Sequence, residues 1–240
     1  MDLSLFSRNS SIAQRRDCAL ALVFRRPRER HGKRRLAASL EERAVVELCR
    51  LMLDCALEDL RAWRGPVVLV PEDSDDLHWA RSLPARRSGR RAPVTVLAQG
   101  AGNLGRRLER LDLALDAMQL KRRIYIGSDA PALKPRHYRR VTAGLATHDV
   151  VLAAARDGGV TMMATRRGWP RLVGLPWGTP GLAHALSAAC RKTGRTALEI
   201  PGGFDVDRGS DLAPLARALR GDARPARREL HRWLALNRLA

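Results

Sequence analysis

Residues 122–133 read RRIYIGSDAPAL, an apolar run that stops at an aspartate and continues into a proline-containing turn. The run Ile124-Tyr125-Ile126 is typical of a short buried strand. A Gly-Ser pair breaks the run, and Asp129 follows where the strand should end. In open α/β sheets, ligands bind in the crevice beyond the carboxyl ends of the strands. Asp129 is therefore a candidate ligand for a metal or a hydroxyl group, and the alternative is an aspartate that caps a turn or a helix.

The composition predicts one α/β domain, or one domain with a small appendage, because the chain has 240 residues and 45% of them are hydrophobic. The formal net charge is +19, and only four of the 44 basic residues are lysines. Guanidinium groups bind phosphate oxygens in pairs, so this bias favours phosphate-bearing or nucleic-acid partners. The alternative is a genome-wide preference for arginine on a solvated surface.

The four cysteines are scattered and show no zinc-binding spacing, which is typical of small buried residues in a reducing compartment. The first sixteen residues lack the apolar core of a secretory signal. No apolar run reaches the roughly 18 residues that a membrane-spanning helix needs. We therefore expect a cytoplasmic protein without a membrane span.

A basic loop follows the first predicted strand, residues 18–24. The loop reads RRPRERHGKRRL (25–36), and its six arginines and Lys33 make it a strong anion-binding candidate. It is not a Walker loop, because Lys33 is followed by Arg34 instead of Ser or Thr. A nuclear-localisation or RNA-binding patch is the alternative interpretation of such a run.

Several local signals organise the segment after this loop. Ser39 with Glu42 has the pattern of a capping box, which predicts that a long amphipathic helix starts there. Residues 66–71 predict the second strand, and the acidic residues 72–76 are expected to cap the next helix. Residues 81–92 form a polar, basic connector without apolar periodicity.

A G-x-G-x-x-G sequence follows the third predicted strand, residues 94–98, and its glycines are Gly100, Gly102 and Gly105. A pattern of this kind between a strand and a helix is typical of a dinucleotide-binding fingerprint, in which Asp129 would bind a ribose hydroxyl. Against that interpretation, the motif lies mid-chain after two strands and a long helix. A phosphate-facing turn at a helix N-terminus needs only the same backbone geometry.

Further acidic residues follow strands in the C-terminal half. Residues 149–155 and 160–165 predict two strands that are joined by a hairpin-type turn at Asp157-Gly158-Gly159. The last predicted strand, 196–200, leads to Asp205-Val206-Asp207, where an extended backbone places both carboxylates on one face. A basic terminal helix is predicted to dock on the body of the protein through Leu230, Trp233, Leu234 and Leu236.

These motifs, in this order, resemble those of the bacterial glycosyltransferase-like family of the GT-A fold that was formerly named domain of unknown function 2064. That family includes candidate glycosyltransferases of arsenosugar biosynthesis. The resemblance covers residues 18–212 and rests on six segments: PRERHGKRRL (27–36), QGAGNLGRR (99–107), GSDAP (127–131), DGG (157–159), PWGTP (176–180) and DVDRGSDL (205–212). It implies an α/β fold with a single GT-A (nucleotide-diphospho-sugar transferase-like) domain, built as a three-layer α/β/α sandwich around a mostly parallel mixed sheet. The implied organisation is a flexible tail at 1–16, the nucleotide-binding domain at 17–222, and a basic C-terminal helix at 223–240 packed on it.

The resemblance also implies a chemistry. The protein would be a glycosyltransferase that uses a nucleotide-diphosphate sugar, Mg²⁺ or Mn²⁺, and a small-molecule acceptor. Asp129, Asp205 and Asp207 would hold the metal, and Asp129 and Asp157 would be the catalytic carboxylates, with Asp157 on the acceptor side as base or hydroxyl anchor. The implied nucleotide- and phosphate-binding residues are Lys33, Arg35, Gln99, Gly100, Gly102, Gly105 and Arg106. The implied acceptor pocket contains Gly158, Gly159, Trp177 and Thr179.

Two alternatives stay open. The related 2-phospholactate guanylyltransferases share the fold and a K-x-R-L loop, matched here by Lys33, Arg35 and Leu36. Membership of that type would mean nucleotidyl transfer from a nucleoside triphosphate. A non-catalytic GT-A fold would instead bind RNA or a protein partner through its arginines, although nucleic acid is the less favoured partner. Arg34 and Val160 stand where family members carry a threonine and an aromatic residue.

Overall fold

The computed structural model describes residues 17–29, 33–84 and 94–239. The predicted tail at 1–16, residues 30–32 of the basic loop, residues 85–92 of the connector and the last residue lie outside these ranges. The described strands form one seven-stranded sheet in the order β3-β2-β1-β4-β6-β5-β7. They are β1 (Cys18–Phe24), β2 (Val67–Pro71), β3 (Val94–Val96), β4 (Arg122–Gly127), β5 (Val150–Ala155), β6 (Val160–Thr165) and β7 (Ala197–Gly203).

Among these strands only β6 runs antiparallel to its neighbours, β4 and β5. The other pairs, β1 with β2, β1 with β4, β2 with β3, and β5 with β7, are parallel. The described helices are α1 (Arg34–Ala37), α2 (Glu42–Ala62), α3 (Leu77–Ser82), α4 (Leu104–Ala117), α5 (Pro135–Thr147), α6 (Leu182–Lys192), α7 (Leu212–Leu219) and α8 (Pro225–Leu236). None of the described helices is both long and apolar enough to cross a membrane.

Helices cover both faces of the sheet, which confirms the predicted α/β/α layering. Alternate residues of a strand point to opposite faces. Leu20 and Leu22 of β1 accordingly pack in the core beneath α2 and α5, while Ala21 packs in the core beneath α4 and α6. Both faces are therefore apolar, as expected of a largely parallel sheet that is buried on both sides.

A third apolar cluster joins α7 and α8 to the outer side of α2. Leu230 and Leu234, one helical turn apart, are fully buried there, and Trp233 packs against the cluster. The predicted docking of Leu236 is wrong, because this side chain is 77% exposed. The predicted capping box is also wrong: α2 begins at Glu42 after Glu41, and Ser39 belongs to the turn that ends α1, where its N–H donates to the carbonyl of Leu36.

The parallel strands bring the polar loops to one edge of the sheet. β1, β2, β3, β4, β5 and β7 all point the same way, so the segments after their carboxyl ends meet. These segments begin with or contain Arg25, Glu72, Gln99, Asp129, Asp157 and Asp205 respectively.

Candidate active site

A cleft of about 1030 Å³ lies at this edge of the sheet. Its walls include the carboxylates of Asp129, Asp157, Asp205 and Asp207 together with Lys33. The sequence separates these residues widely, and the strand order brings them together. The predicted metal and catalytic carboxylates therefore share one cleft.

Asp129 and the Asp205–Asp207 segment are tied together by the main chain. The N–H of Val206 donates to the carbonyl of Asp129 at 2.8 Å. Nζ of Lys33 donates to the carbonyl of Val206 at 2.7 Å and lies 3.4 Å from Oδ2 of Asp129 and 3.5 Å from Oδ1 of Asp207. The lysine ammonium thus serves as the counter-cation of the acidic cluster.

Lys33 has a left-handed backbone, with φ at 49°. Burial disfavours its charged form, but the carboxylates of Asp129 and Asp207 more than offset this, and the pKa of Lys33 lies above its ordinary value. Arg35 adds a second cation, since its Nη1 donates to Oδ2 of Asp207 at 2.8 Å. Both predicted phosphate-binding residues of the basic loop therefore contact the acidic cluster directly.

Asp205 is a partly buried carboxylate of the cluster. Burial, followed by the charges of Asp129 and Asp157, raises the pKa of its carboxyl to about 8. Its Oδ1 is buried and has no hydrogen-bond partner within the part of the chain that the structure describes. A buried oxygen without a partner is costly, so this atom is suited to a ligand that enters the cleft.

The carboxylates of the acidic cluster are the candidate ligands of a divalent metal ion. No three His, Cys, Asp or Glu side chains within the described ranges form a preassembled metal centre. The donor set nevertheless fits Mg²⁺ or Mn²⁺, because these ions favour carboxylate oxygens and keep waters for substrate phosphates. The unpartnered Oδ1 of Asp205 supports the same fit. Asp211 is not part of the donor set, since its Oδ2 accepts hydrogen bonds from the N–H groups of Asp207 and Arg208 and so caps the turn.

The segments after β2 and β3 contribute a second polar group to the cleft, a corner built by Gln99, Glu72 and Arg107. Nε2 of Gln99 donates to the carbonyls of Phe24 and Val70, which fixes the ends of β1 and β2. Nη1 of Arg107 donates to Oε1 of Gln99 at 3.0 Å and also to Glu72. Residues 72–76 were expected to cap a helix, and Asp73 does so, since its side chain accepts from the N–H of Asp75, whereas Glu72 contributes to the cleft instead.

Two arginines neutralise the carboxylate of Glu72 in this corner. Arg25 and Arg107 both donate to Glu72. Burial disfavours the ionised carboxylate, yet these two hydrogen bonds hold the pKa of Glu72 below its ordinary value. Arg106, the residue assigned to phosphate binding from the sequence, is exposed and does not line the cleft, whereas its neighbour Arg107 does.

Backbone conformation and close packing explain why the G-x-G-x-x-G segment carries glycine at its three positions. Gly100 and Gly102 have φ values of 73° and 107°, which favour glycine. A Cβ on Gly105 would meet the carbonyl of Leu172 and the indole nitrogen of Trp177. Gly102 and Gly105 do not line the cleft, and Gly100 borders a smaller adjoining cavity of about 340 Å³.

The dinucleotide interpretation of that segment does not fit the topology. The motif follows the edge strand β3, and two strands, β2 and β1, separate β3 from β4 and Asp129. A dinucleotide fingerprint places its acidic ribose ligand at the end of the adjacent strand. Asp129 instead faces the acidic cluster of the cleft.

The residues predicted for the acceptor pocket lie in the β5–β6 turn and in the loop before α6. Oδ1 of the exposed Asp157 accepts from the N–H of Gly159 at 3.0 Å. Gly158 has a φ of 85°, and a Cβ there would overlap the carbonyl of Pro180. Trp177 and Thr179 line the cleft, and the Trp177 indole N–H donates to the carbonyl of Leu172 at 2.9 Å.

Comparison with solved structures defines the class of fold. The structure of a candidate nucleotide-diphospho-sugar transferase from Desulfovibrio desulfuricans G20 matches with a TM-score of 0.80 at 20% sequence identity, covering 92% of this chain and 95% of that chain. At this identity the likeness shows the fold, which is of the nucleotide-diphospho-sugar transferase type. A cytidylyltransferase from Leptospira borgpetersenii matches with a TM-score of 0.48 at 12% identity over 92% of this chain and 95% of that one.

The sequence identifies the family. A family model described as "Uncharacterized protein conserved in bacteria (DUF2064)" matches residues 53–179, and the chain belongs to that family. The matched segment includes Gln99, Arg107, Asp129, Asp157 and Trp177. No curated protein matches the chain significantly in sequence.

Proposed function

We propose that this protein is a metal-dependent glycosyltransferase that moves a sugar from a nucleotide diphosphate to a small-molecule acceptor. The observation that carries the proposal is the convergence of Asp129, Asp205 and Asp207 in one cleft, with Oδ1 of Asp205 buried and unpartnered among the described residues. Lys33 and Arg35 reach the same cluster. Carboxylates beside fixed cations are the groups that a metal–diphosphate complex requires.

Each residue then has a role. The three carboxylates would hold Mg²⁺ or Mn²⁺, which when bound neutralises charge on the diphosphate leaving group. Lys33 and Arg35 would turn from the carboxylates to phosphate oxygens once the metal has entered, and Arg107 would contact the nucleotide from the second polar group of the cleft. Asp157, on the acceptor side, would accept the proton of the acceptor hydroxyl or anchor that hydroxyl.

The acceptor part of the cleft is proposed to be largely apolar. Val160, Met163 and Trp177 line it, and they also pack against the core beneath α4 and α6. Val160 stands in place of an aromatic residue that the family resemblance leads one to expect. A smaller side chain there widens the pocket, which supports a bulkier acceptor.

A product assay tests the proposed reaction. The protein is incubated with UDP- and GDP-sugars, or with nucleoside triphosphates, in Mn²⁺ or in EDTA, and Asp205→Asn is the matched control. Without the acceptor, water takes the sugar, so the expected result is slow metal-dependent release of UDP or GDP together with the free sugar, absent in the variant. Pyrophosphate release from a triphosphate would identify nucleotidyl transfer instead. Salt-sensitive RNA binding without turnover of any nucleotide would contradict both reactions.

A further inference from the structure

We infer that Arg224 and Arg227, at the start of the C-terminal helix α8, are positioning residues. They hold the loop between β4 and α5, residues 128–134 (the Asp129 loop), in its metal-binding conformation; this inference rests on the proposed function. Neither side chain lines the cleft. Both reach the loop from behind, through the backbone carbonyls that follow Asp129.

The contacts to the loop are direct. Nη2 of Arg224 donates to the carbonyl of Leu133 at 2.8 Å, and Nε of Arg227 donates to the carbonyl of Pro131 at 3.2 Å. On the cleft side, the carbonyl of Asp129 accepts from the N–H of Val206. The loop is therefore clamped between the Asp205–Asp207 segment and the two arginines.

The two guanidinium groups are themselves fixed. Asp59 of α2 is buried, its Oδ1 accepts from Arg224 at 3.0 Å, and its Oδ2 accepts from Arg227 at 2.6 Å and from the Tyr138 hydroxyl at 2.8 Å. Arg227 is fully buried and also donates to Glu58 at 2.9 Å. A planar guanidinium that is saturated with such partners has little rotational freedom, so it transmits the position of α2 to the loop.

The loop needs this support because it leaves the sheet immediately after β4 and contains Pro131. Proline supplies no N–H, and a turn of this kind lacks ladder hydrogen bonds that would hold its carbonyls. Carboxylate ligands contribute fully to metal affinity only when their positions are fixed in advance. Loss of either guanidinium contact would let Asp129 move away from Asp205 and Asp207.

The direction in which the Mn²⁺ affinity changes distinguishes a positioning role of the arginines from a purely electrostatic one. Removing a positive charge near an acidic cluster strengthens cation binding through the Coulomb interaction. Loss of positioning weakens it. We expect Arg224→Gln to bind Mn²⁺ at least about fivefold more weakly than the parent, as measured by electron paramagnetic resonance titration of free Mn²⁺ without nucleotide.

Arg166→Gln is the matched control. Arg166 is a partly exposed arginine that bonds the buried carboxylate of Asp149 and the carbonyl of Ala146. It follows Thr165, which pairs with Arg123 at the start of β4, whereas the Asp129 loop follows the end of that strand. The Arg166→Gln variant should lower the Tm as Arg224→Gln does, but it should leave the Mn²⁺ affinity unchanged. Arg224→Lys keeps the charge but cannot bond Leu133 and Asp59 together, so it should also weaken Mn²⁺ binding, and it carries the test if the Gln variant does not fold.

Unchanged or tighter Mn²⁺ binding in a folded Arg224 variant, beside a parent that binds Mn²⁺, overturns this inference and leaves the proposed function intact. An equal loss in Arg166→Gln also overturns it, because the effect would then be general destabilisation. A parent that binds no Mn²⁺ overturns the proposed function and the inference together.

Discussion

Replacing Lys33 by methionine should change metal binding and nucleotide binding in opposite directions. Nζ of Lys33 lies 3.4 Å from Asp129 and 3.5 Å from Asp207, where it neutralises the carboxylates that a metal would use. Methionine keeps the approximate length of the side chain without its charge. In Lys33→Met, an incoming cation no longer competes with an ammonium group for the same oxygens.

The magnitude follows from these distances. Two unit charges at this separation interact by roughly 5 kcal/mol at an effective dielectric constant of about 20, and by roughly 1 kcal/mol in water. The side chains of Asp129 and Asp207 are each 40% exposed, which places each pair near the lower figure, at about 1–2 kcal/mol. Lys33→Met removes both contacts, and one of them alone corresponds to about tenfold, so the Mn²⁺ affinity should rise at least about tenfold. The diphosphate loses a charge-assisted donor worth roughly 1.5–3 kcal/mol, so UDP or GDP should bind about tenfold or more weakly at saturating Mn²⁺.

The assay has two parts. Electron paramagnetic resonance titration measures Mn²⁺ affinity without nucleotide, and calorimetry at saturating Mn²⁺ then measures UDP and GDP affinity. Lys192→Met is the control for charge, since Lys192 is exposed on α6. Mn²⁺ binding that is unchanged or weaker in Lys33→Met would refute the assignment of Lys33 as the cation that stands in for the metal.

Three further results are expected. Arg107→Ala should weaken nucleotide binding about tenfold and Arg106→Ala should not, in the same calorimetric titration, because only Arg107 lines the cleft; equal effects would contradict the geometry. Gly158→Ala should lower the free energy of unfolding, measured by chemical denaturation, by more than Gly178→Ala does. Both glycines have a positive φ, which costs roughly 1–2 kcal/mol for alanine. Only the alanine Cβ at position 158 would also overlap a carbonyl, that of Pro180. Burial, followed by nearby arginines, lowers the pKa of His137 to about 4, below its value of about 6.5 in the unfolded chain. Between these two pH values the unfolded chain binds a proton that the folded protein does not. The free energy of unfolding therefore decreases as the pH falls from about 6.5 to about 4. His137→Gln should therefore lose less Tm than the parent over that range, and parallel pH profiles would show that His137 does not contribute.

The position of the candidate site was predictable from one rule of α/β sheets. Asp129, Asp157 and Asp205 each follow a predicted strand, and parallel strands place such residues at a common edge. The mixed sheet and its helical layers were predicted from apolar runs and from the family resemblance. The cleft that these three aspartates share lies at this edge of the sheet, in agreement with the rule.

Other features had no reliable signal in the sequence. Neighbouring residues on a helix point about 100° apart, so whether Arg106 or Arg107 faces the cleft depends on how α4 is oriented. The contact of Lys33 with Asp129 arises only from the tertiary fold, and so does the pairing of Arg224 with Asp59. Residues 72–76 were expected to cap because acidic residues before a helix usually do so, and Asp73 does, while Arg25 and Arg107 hold Glu72 in the cleft.

The most direct test of the central claim is calorimetric titration of UDP, GDP and NAD into the parent and into Asp205→Asn, each with and without Mn²⁺. The acidic cluster predicts that UDP or GDP binds the parent at least about tenfold more tightly with Mn²⁺, that Asp205→Asn loses this gain, and that NAD binds neither protein. Nucleotide binding that is equal with and without Mn²⁺ and survives Asp205→Asn would contradict the claim, as would metal-independent binding of NAD.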